Sequence, residues 1–200
     1  NALYQYRLVR FADERRAATQ APFGACYAAS DRVAFHDSSP LLVAATASAV
    51  VLPAGVAVDR FRANLVVETT APFDEDFWAD LRLEPTGLAL RVAKPCHRCA
   101  VTTIPQQDDD DDDHQKGAAR TTSTRRSAFF EPLTSLRRFR RVADGADAAY
   151  GEAPCFCVNL AFRGDPPAAA RVAVGDVLRV VTRRRHSWLA APWEDPEQRS

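Results

Sequence analysis

Lys94-Pro95-Cys96-His97-Arg98-Cys99 places two thiols, an imidazole and two cationic side chains within six residues. Positive neighbours favour the thiolate, the form of cysteine that binds metals and attacks electrophiles. The residues alone leave several chemistries open. A pair of buried free thiols is one. Half of a zinc site is another, with Cys155-Phe156-Cys157 as a distant second half whose C-x-C spacing suits zinc poorly. A thioredoxin-like redox pair is disfavoured. The motif runs into the β-branched stretch Val101-Thr102-Thr103-Ile104, which is expected to be a strand, instead of opening a helix.

Two further clusters carry polar chemistry. Phe35-His36-Asp37-Ser38-Ser39-Pro40 offers hydroxyls, a carboxylate and turn amides in one loop, suited to a phosphate or a pterin edge. The same residues could simply cap a helix. In Arg60-Phe61-Arg62-Ala63-Asn64, strand alternation would put Arg62 and Asn64 on one face. A planar guanidinium beside an amide suits a heterocycle or phosphate; an edge strand with two surface residues is the plainer alternative.

These clusters need elements to hold them. Tyr4–Phe11 alternates as a strand, and Leu41–Val51 is an apolar stretch behind a capping turn. Leu65–Val67 reads as a short buried strand. Phe73–Asp80 reads as an acidic turn plugged by Trp78. Leu81–Ala93 reads as two strands joined near Pro85-Thr86-Gly87. Leu133, Leu136, Phe139 and Val142 form one apolar stripe, predicting an amphipathic helix over 131–142. Phe156–Phe162 alternates as a strand, and Arg171–Val181 is expected to hold two strands around Gly175-Asp176. Residues 105–128 are low-complexity and expected to be a disordered acidic insert. Many short strands with one or two short helices predict an α+β, predominantly β, barrel-like domain, not a doubly wound sheet.

Composition narrows the class. The 200 residues are 46% hydrophobic, enough for a packed core. Formal net charge is zero, so no global field draws the chain to nucleic acid or a membrane surface. Local charge is uneven: Asp108–Asp113 is an unbroken acidic run, and Arg183-Arg184-Arg185 is a basic one. Five cysteines, an odd number, argue against a disulfide framework and for a reducing intracellular compartment, mitochondrial or cytoplasmic. No apolar run approaches the ~18 residues that span a bilayer. A chain without methionine is not expected to begin at its translational start, so what precedes Asn1 is open.

An ordered series of segments resembles the MOSC-domain family over most of residues 4–181. It runs from Asp37-Ser38-Ser39-Pro40-Leu41-Leu42-Val43 through FRANLVV, FDEDFW, CHRCAVTTI and EPLTSLRRFR to a final V-G-D. It is most similar to the branch of mitochondrial amidoxime-reducing components and bacterial hydroxylaminopurine reductases. The resemblance implies a MOSC-type barrel over 32–182, a remnant of the N-terminal MOSC-associated region over 1–31 and a polar tail over 183–200. It implies a molybdenum–molybdopterin cofactor with Cys99 as metal ligand and catalytic residue. Asp37, Ser38, Ser39, Arg62 and Asn64 would line the cofactor pocket, His97 and Arg98 would contact the cofactor from the ligand loop, and Asn159 would lie near it.

The sequence departs from the family pattern in three places. The family's N-terminal basic segment does not precede Asn1. Ile104-Pro105 and the Asp run replace the usual Asp-Pro turn. Phe156-Cys157 stands where the family has Phe-Gly.

Three functions compete. In the first, molybdenum reduces N–O bonds in N-hydroxylated bases, amidoximes or hydroxylamines, with electrons from a flavin reductase, directly or through a b-type cytochrome. In the second, the domain receives or carries the cofactor or its sulfur, as in the C-terminal domain of molybdenum cofactor sulfurase. A pyridoxal-phosphate desulfurase domain upstream would mark that case. In the third, the chain is a silent fragment with an incomplete pocket. The substrate, the donor and the oligomeric state are not encoded in any motif of this sequence.

Overall fold

The computed structural model describes residues 16–17, 26–28, 30–33, 39–54, 56–104, 130–141, 153–166 and 170–184. The expected strand at Tyr4–Phe11, the acidic stretch 105–128 and the chain beyond Arg184 lie outside the described residues, as do Asp37 and Ser38.

Period-two burial produces the strands. Along Leu81–Leu83 the pattern runs buried, exposed, buried, and the two leucines supply the buried face. A two-stranded antiparallel pair joins β1 (Arg16–Ala17) to β2 (Arg32–Val33). The main sheet contains β3 (Leu41–Ala45), β4 (Leu65–Val67), β5 (Trp78–Glu84), β6 (Leu88–His97), β7 (Cys155–Phe162) and β8 (Val177–Arg183). Its spatial order is β4-β3-β7-β6-β5-β8. The β3–β4 pair is parallel and the others are antiparallel. Parallel pairing requires a crossover, and α1 (Thr46–Ala49) with the 3-10 turn Val58–Phe61 lies in it.

The sheet curls into a half-barrel. Leu65 and Val67 from one edge and Leu178 and Val180 from the other pack on the same core of Val43, Leu81, Leu90, Val92, Val158 and Leu160. A cavity of about 600 Å³ lies between the edges, lined from one side by Val66 and Glu68 and from the other by Val177 and Leu178. The outer face is covered twice. Tyr27 and Val33 cover Ala93, Cys155 and Ala161. Leu52, Phe61, Phe73 and Leu136, the last from α2 (Leu133–Phe139), cover Ala44, Phe156 and Cys157. Neighbours such as Val43 and Ala44 divide between the two faces because successive strand side chains point opposite ways. The fold is therefore the expected predominantly β, α+β type with few short helices.

Several local expectations change. Ala100–Thr103 is a 3-10 turn and not a strand; the Thr102 and Thr103 hydroxyls bond back to the carbonyls of Cys99 and Ala100, an alternative to the ladder that short hydroxyl side chains offer. Residues 171–176 form no strand, so Arg171–Val181 yields β8 alone. The stretch Leu41–Val51 divides into a strand and one helical turn. Leu65–Val67 is an edge strand with Val66 half exposed, not a buried one. The helix at 131–142 is shorter, Leu133–Phe139.

Buried polar groups tie these layers together. Arg140 forks onto Asp76 at 2.6 and 3.0 Å and donates through Nε to the Cys155 carbonyl. Its guanidinium also lies 4.2 Å from the Phe73 ring centroid. Burial opposes its charge, but Asp76 outweighs that and holds it protonated. Ser48 of α1 donates to Glu75 at 2.8 Å and accepts from the Phe73 amide at 2.7 Å.

Candidate functional site

β6 delivers the cysteine motif, and two irregularities decide where its side chains go. Register shifts lie between Val92 and Lys94 and between Pro95 and His97. Each adds a residue on one strand, which re-aims the side chains that follow. Val92 pairs with Leu160 and faces the inner core, whereas Lys94 pairs with Asn159, on the opposite face. Lys94 is fully buried there, and burial lowers its pKa. His97, opposite Cys155, has its pKa lowered by burial and then by the charges of Lys94 and Arg98.

The strand ends at a loop fixed on both sides of Cys99. The Arg98 amide donates to the Pro154 carbonyl at 2.8 Å. The Cys99 carbonyl accepts from both the amide and the hydroxyl of Thr102, at 3.2 and 2.9 Å. Between these anchors Cys99 is exposed. The other described cysteines differ: Cys26 and Cys96 are half-buried, and Cys155 and Cys157 are buried. Burial pushes the Cys155 thiol up to about 12 and the Cys157 thiol up strongly, which makes both poor metal ligands and poor nucleophiles. Cys99 is thus the sulfur most open to a ligand. Among the described residues no group of three His, Cys, Asp or Glu side chains is placed to hold a metal.

The Arg60–Asn64 segment packs beside this loop. The 3-10 turn Val58–Phe61 contacts the turn Ala100–Thr103, and Arg98 donates to the Phe61 carbonyl at 2.7 Å. Arg62 does not sit on a strand with Asn64. It caps the turn in the left-handed region at φ 53°, exposed. Asn64 Oδ1 accepts from the Leu42 amide at 2.7 Å, and its own amide donates to the Leu42 carbonyl. That pairing sets the parallel register of β4 on β3. Ser39 is buried and donates to the Leu160 carbonyl at 2.7 Å, tying the loop before β3 to β7.

Asn159 is almost completely buried on β7, between Leu42 and Lys94 of the flanking strands. Its Nδ2 has no hydrogen-bond partner among the described residues. A buried amide nitrogen left unbonded costs about 1–3 kcal/mol, so such groups normally meet a partner. The structure ties Arg98 to the 58–61 turn that Arg62 caps, and links Asn64, Leu42 and Asn159 across β4-β3-β7. A separate cavity of about 340 Å³, lined by Tyr27, Asp80, Arg91, Arg163 and Arg184 among others, does not include Cys99. The Asp76–Arg140 and Ser48–Glu75 contacts, which position Phe73 and β7 behind the loop, had no signal in local sequence.

A family model described as the MOSC domain matches residues 30–188. The chain is 30% identical over 154 residues to mitochondrial amidoxime-reducing component 1 of Mus musculus, covering 75% of this chain and 40% of that protein. The human protein of the same name is 28% identical over 155 residues, covering 76% and 41%. Molybdenum cofactor sulfurase 2 of Culex quinquefasciatus is 43% identical over 49 residues, which cover 24% of this chain and 6% of that protein. The chain therefore spans about two fifths of the length of the amidoxime-reducing relatives it matches.

Proposed function

Because this chain belongs to the MOSC-domain family, we propose that it binds a molybdenum–molybdopterin cofactor through Cys99 and reduces N-hydroxylated compounds. One observation carries the reading: Cys99 is an exposed sulfur on a loop anchored at both ends, and the turn that follows it contacts the 58–61 turn, which the exposed Arg62 caps. The donor set suits such a group. A single thiolate suffices for a metal whose other ligands come from a dithiolene. An exposed guanidinium such as that of Arg62 suits a phosphate. The unbonded Nδ2 of Asn159 supports a polar partner nearby. Asp37, Ser38, Ser39 and His97 complete the proposed lining, while the Asn64 side chain contributes by fixing the backbone at Leu42.

Molybdenum would supply the two-electron redox chemistry. The protein's own part is to hold the sulfur, orient the substrate and keep the site polar without a competing base. His97, its pKa lowered by burial and by Lys94 and Arg98, stays neutral at neutral pH and is suited to hydrogen bonding. The balanced reaction is an amidoxime plus two electrons and two protons giving an amidine and water. The electrons would come from a flavin reductase, directly or through a b-type cytochrome.

The test is reduction of an aromatic amidoxime by the cofactor-loaded chain with reduced viologen as donor. Turnover that falls at least about 10²-fold in Cys99→Ala is expected; equal turnover in that variant would overturn the proposal. A second reading is a carrier of cofactor or sulfur, favoured by the 43% identity to a sulfurase segment. Bound molybdenum without any reduction would select it.

A further inference from the structure

Arg98 lies in the motif that the cofactor reading uses, but its guanidinium is engaged by other parts of the protein. NH1 donates to the sulfur of Cys96 at 2.9 Å and NH2 to the Phe61 carbonyl at 2.7 Å. The guanidinium carbon lies 5.4 Å from the Phe61 ring centroid. Nε, the remaining donor nitrogen, is sealed from solvent. Phe61 is itself fully buried and stacks on Phe156 of β7 with centroids 4.2 Å apart. The Arg98 amide donates to Pro154, two residues before Phe156. One side chain and its own amide thus join three segments: the end of β6, the 58–61 turn and the entry to β7.

We infer that Arg98 is a positioning residue that sets the Cys99 sulfur by locking the preceding residue, and that it does so without contacting the cofactor. The inference rests on the reading of Cys99 as the metal ligand. A fork with two terminal nitrogens can reach a sulfur and a carbonyl at once while its plane faces an aromatic ring; an ammonium point charge cannot. With Arg98 locked and the Cys99 carbonyl held by Thr102, rotation of the Cys99 backbone is closed from both sides. Cys96 becomes an internal anchor for the loop, so the two cysteines of the motif have different jobs despite their spacing.

Two readouts test this, one of them independent of the cofactor. In metal-free chain, hydrogen–deuterium exchange read by peptide mass spectrometry is expected to show the Arg98 and Thr102 amides protected by their partners, the Pro154 and Cys99 carbonyls. Arg98→Met should speed exchange of the 97–103 amides about tenfold, the size expected on losing one charge-assisted hydrogen bond that holds the loop. In chain produced with the cofactor, Arg98→Met should lose most of its molybdenum and Arg98→Lys should retain an intermediate amount. Should Arg98→Met fail to fold, Arg98→Lys must still speed that exchange by a smaller factor. Unchanged exchange, or faster exchange with molybdenum fully retained, would overturn the inference. A wild-type chain devoid of molybdenum would overturn the cofactor reading instead, and the exchange contrast would still decide whether the lock exists.

Discussion

Cys157 adopts φ 68° in the middle of β7, fully buried against Phe61 and Phe73. An L side chain in that conformation costs about 1–2 kcal/mol, and only glycine escapes the penalty. The resemblance implies glycine at this position, and a positive φ is the conformation that glycine adopts without penalty. Cys157→Gly relieves that strain but vacates a packed site, and losing a small buried side chain costs about 1 kcal/mol. Urea denaturation should therefore place Cys157→Gly within about 1 kcal/mol of the parent. Cys157→Val should lose more than about 2 kcal/mol, since a β-branched residue suits φ > 0 least. The departure from Phe-Gly was visible in the sequence, but no periodicity encodes a positive φ. The same holds for Arg62 at φ 53°, expected on a strand face and found at a turn cap. Residue types at the candidate site were legible; their directions depend on bulges and turns that composition does not reveal.

At the scale of elements, the acidic turn Asp74–Phe77 is the junction between the site's scaffold and the sheet. Glu75 is completely buried, and burial, then the charge of Asp76, raises its carboxyl to about 7. The folded chain holds this proton in a range where the unfolded chain, with an ordinary value of 4.5, has lost it. Its contribution is therefore most favourable below about pH 4.5 and is lost progressively as pH rises toward 7. Glu75→Gln should flatten that dependence. The variant should gain stability relative to the parent between pH 5 and pH 7.5, by up to the order of 3 kcal/mol in denaturant titrations. An identical pH dependence in parent and variant would contradict the assignment. The neighbouring Asp76–Arg140 pair makes the opposite prediction. Its side chains are 1% and 5% exposed, so Asp76→Ala strands a buried cation. A loss of about 3–5 kcal/mol, or failure to fold, is expected from thermal unfolding. The pair links residues far apart in the chain, which explains why FDEDFW read only as an acidic turn. Strands β5 and β6 were visible because two-residue alternation is a local signal, whereas β7, expected to alternate, is buried on both faces along Cys155–Ala161. The turn Ala100–Thr103 was not, because its β-branched residues fold back through their hydroxyls.

The whole molecule is a curled sheet whose edges β4 and β8 share a core yet do not pair. Strand content and the α+β class could be read from many short alternating segments; the curl could not, because it arises from contacts between edges far apart in sequence. No helix among the described residues is long and apolar enough to cross a membrane. The proposed site draws on β6, the 58–61 turn and β7, and the loop that carries its Cys99 sulfur is held by backbone hydrogen bonds instead of burial. Metal content therefore tests the account most directly. The chain is produced in a host that makes the molybdenum cofactor, purified, and assayed for molybdenum by elemental analysis and for the pterin by fluorescence after oxidation. Near-stoichiometric metal in the parent and in Cys157→Gly, with at least about tenfold less in Cys99→Ala, is the predicted result. Equal molybdenum in the parent and Cys99→Ala would contradict it.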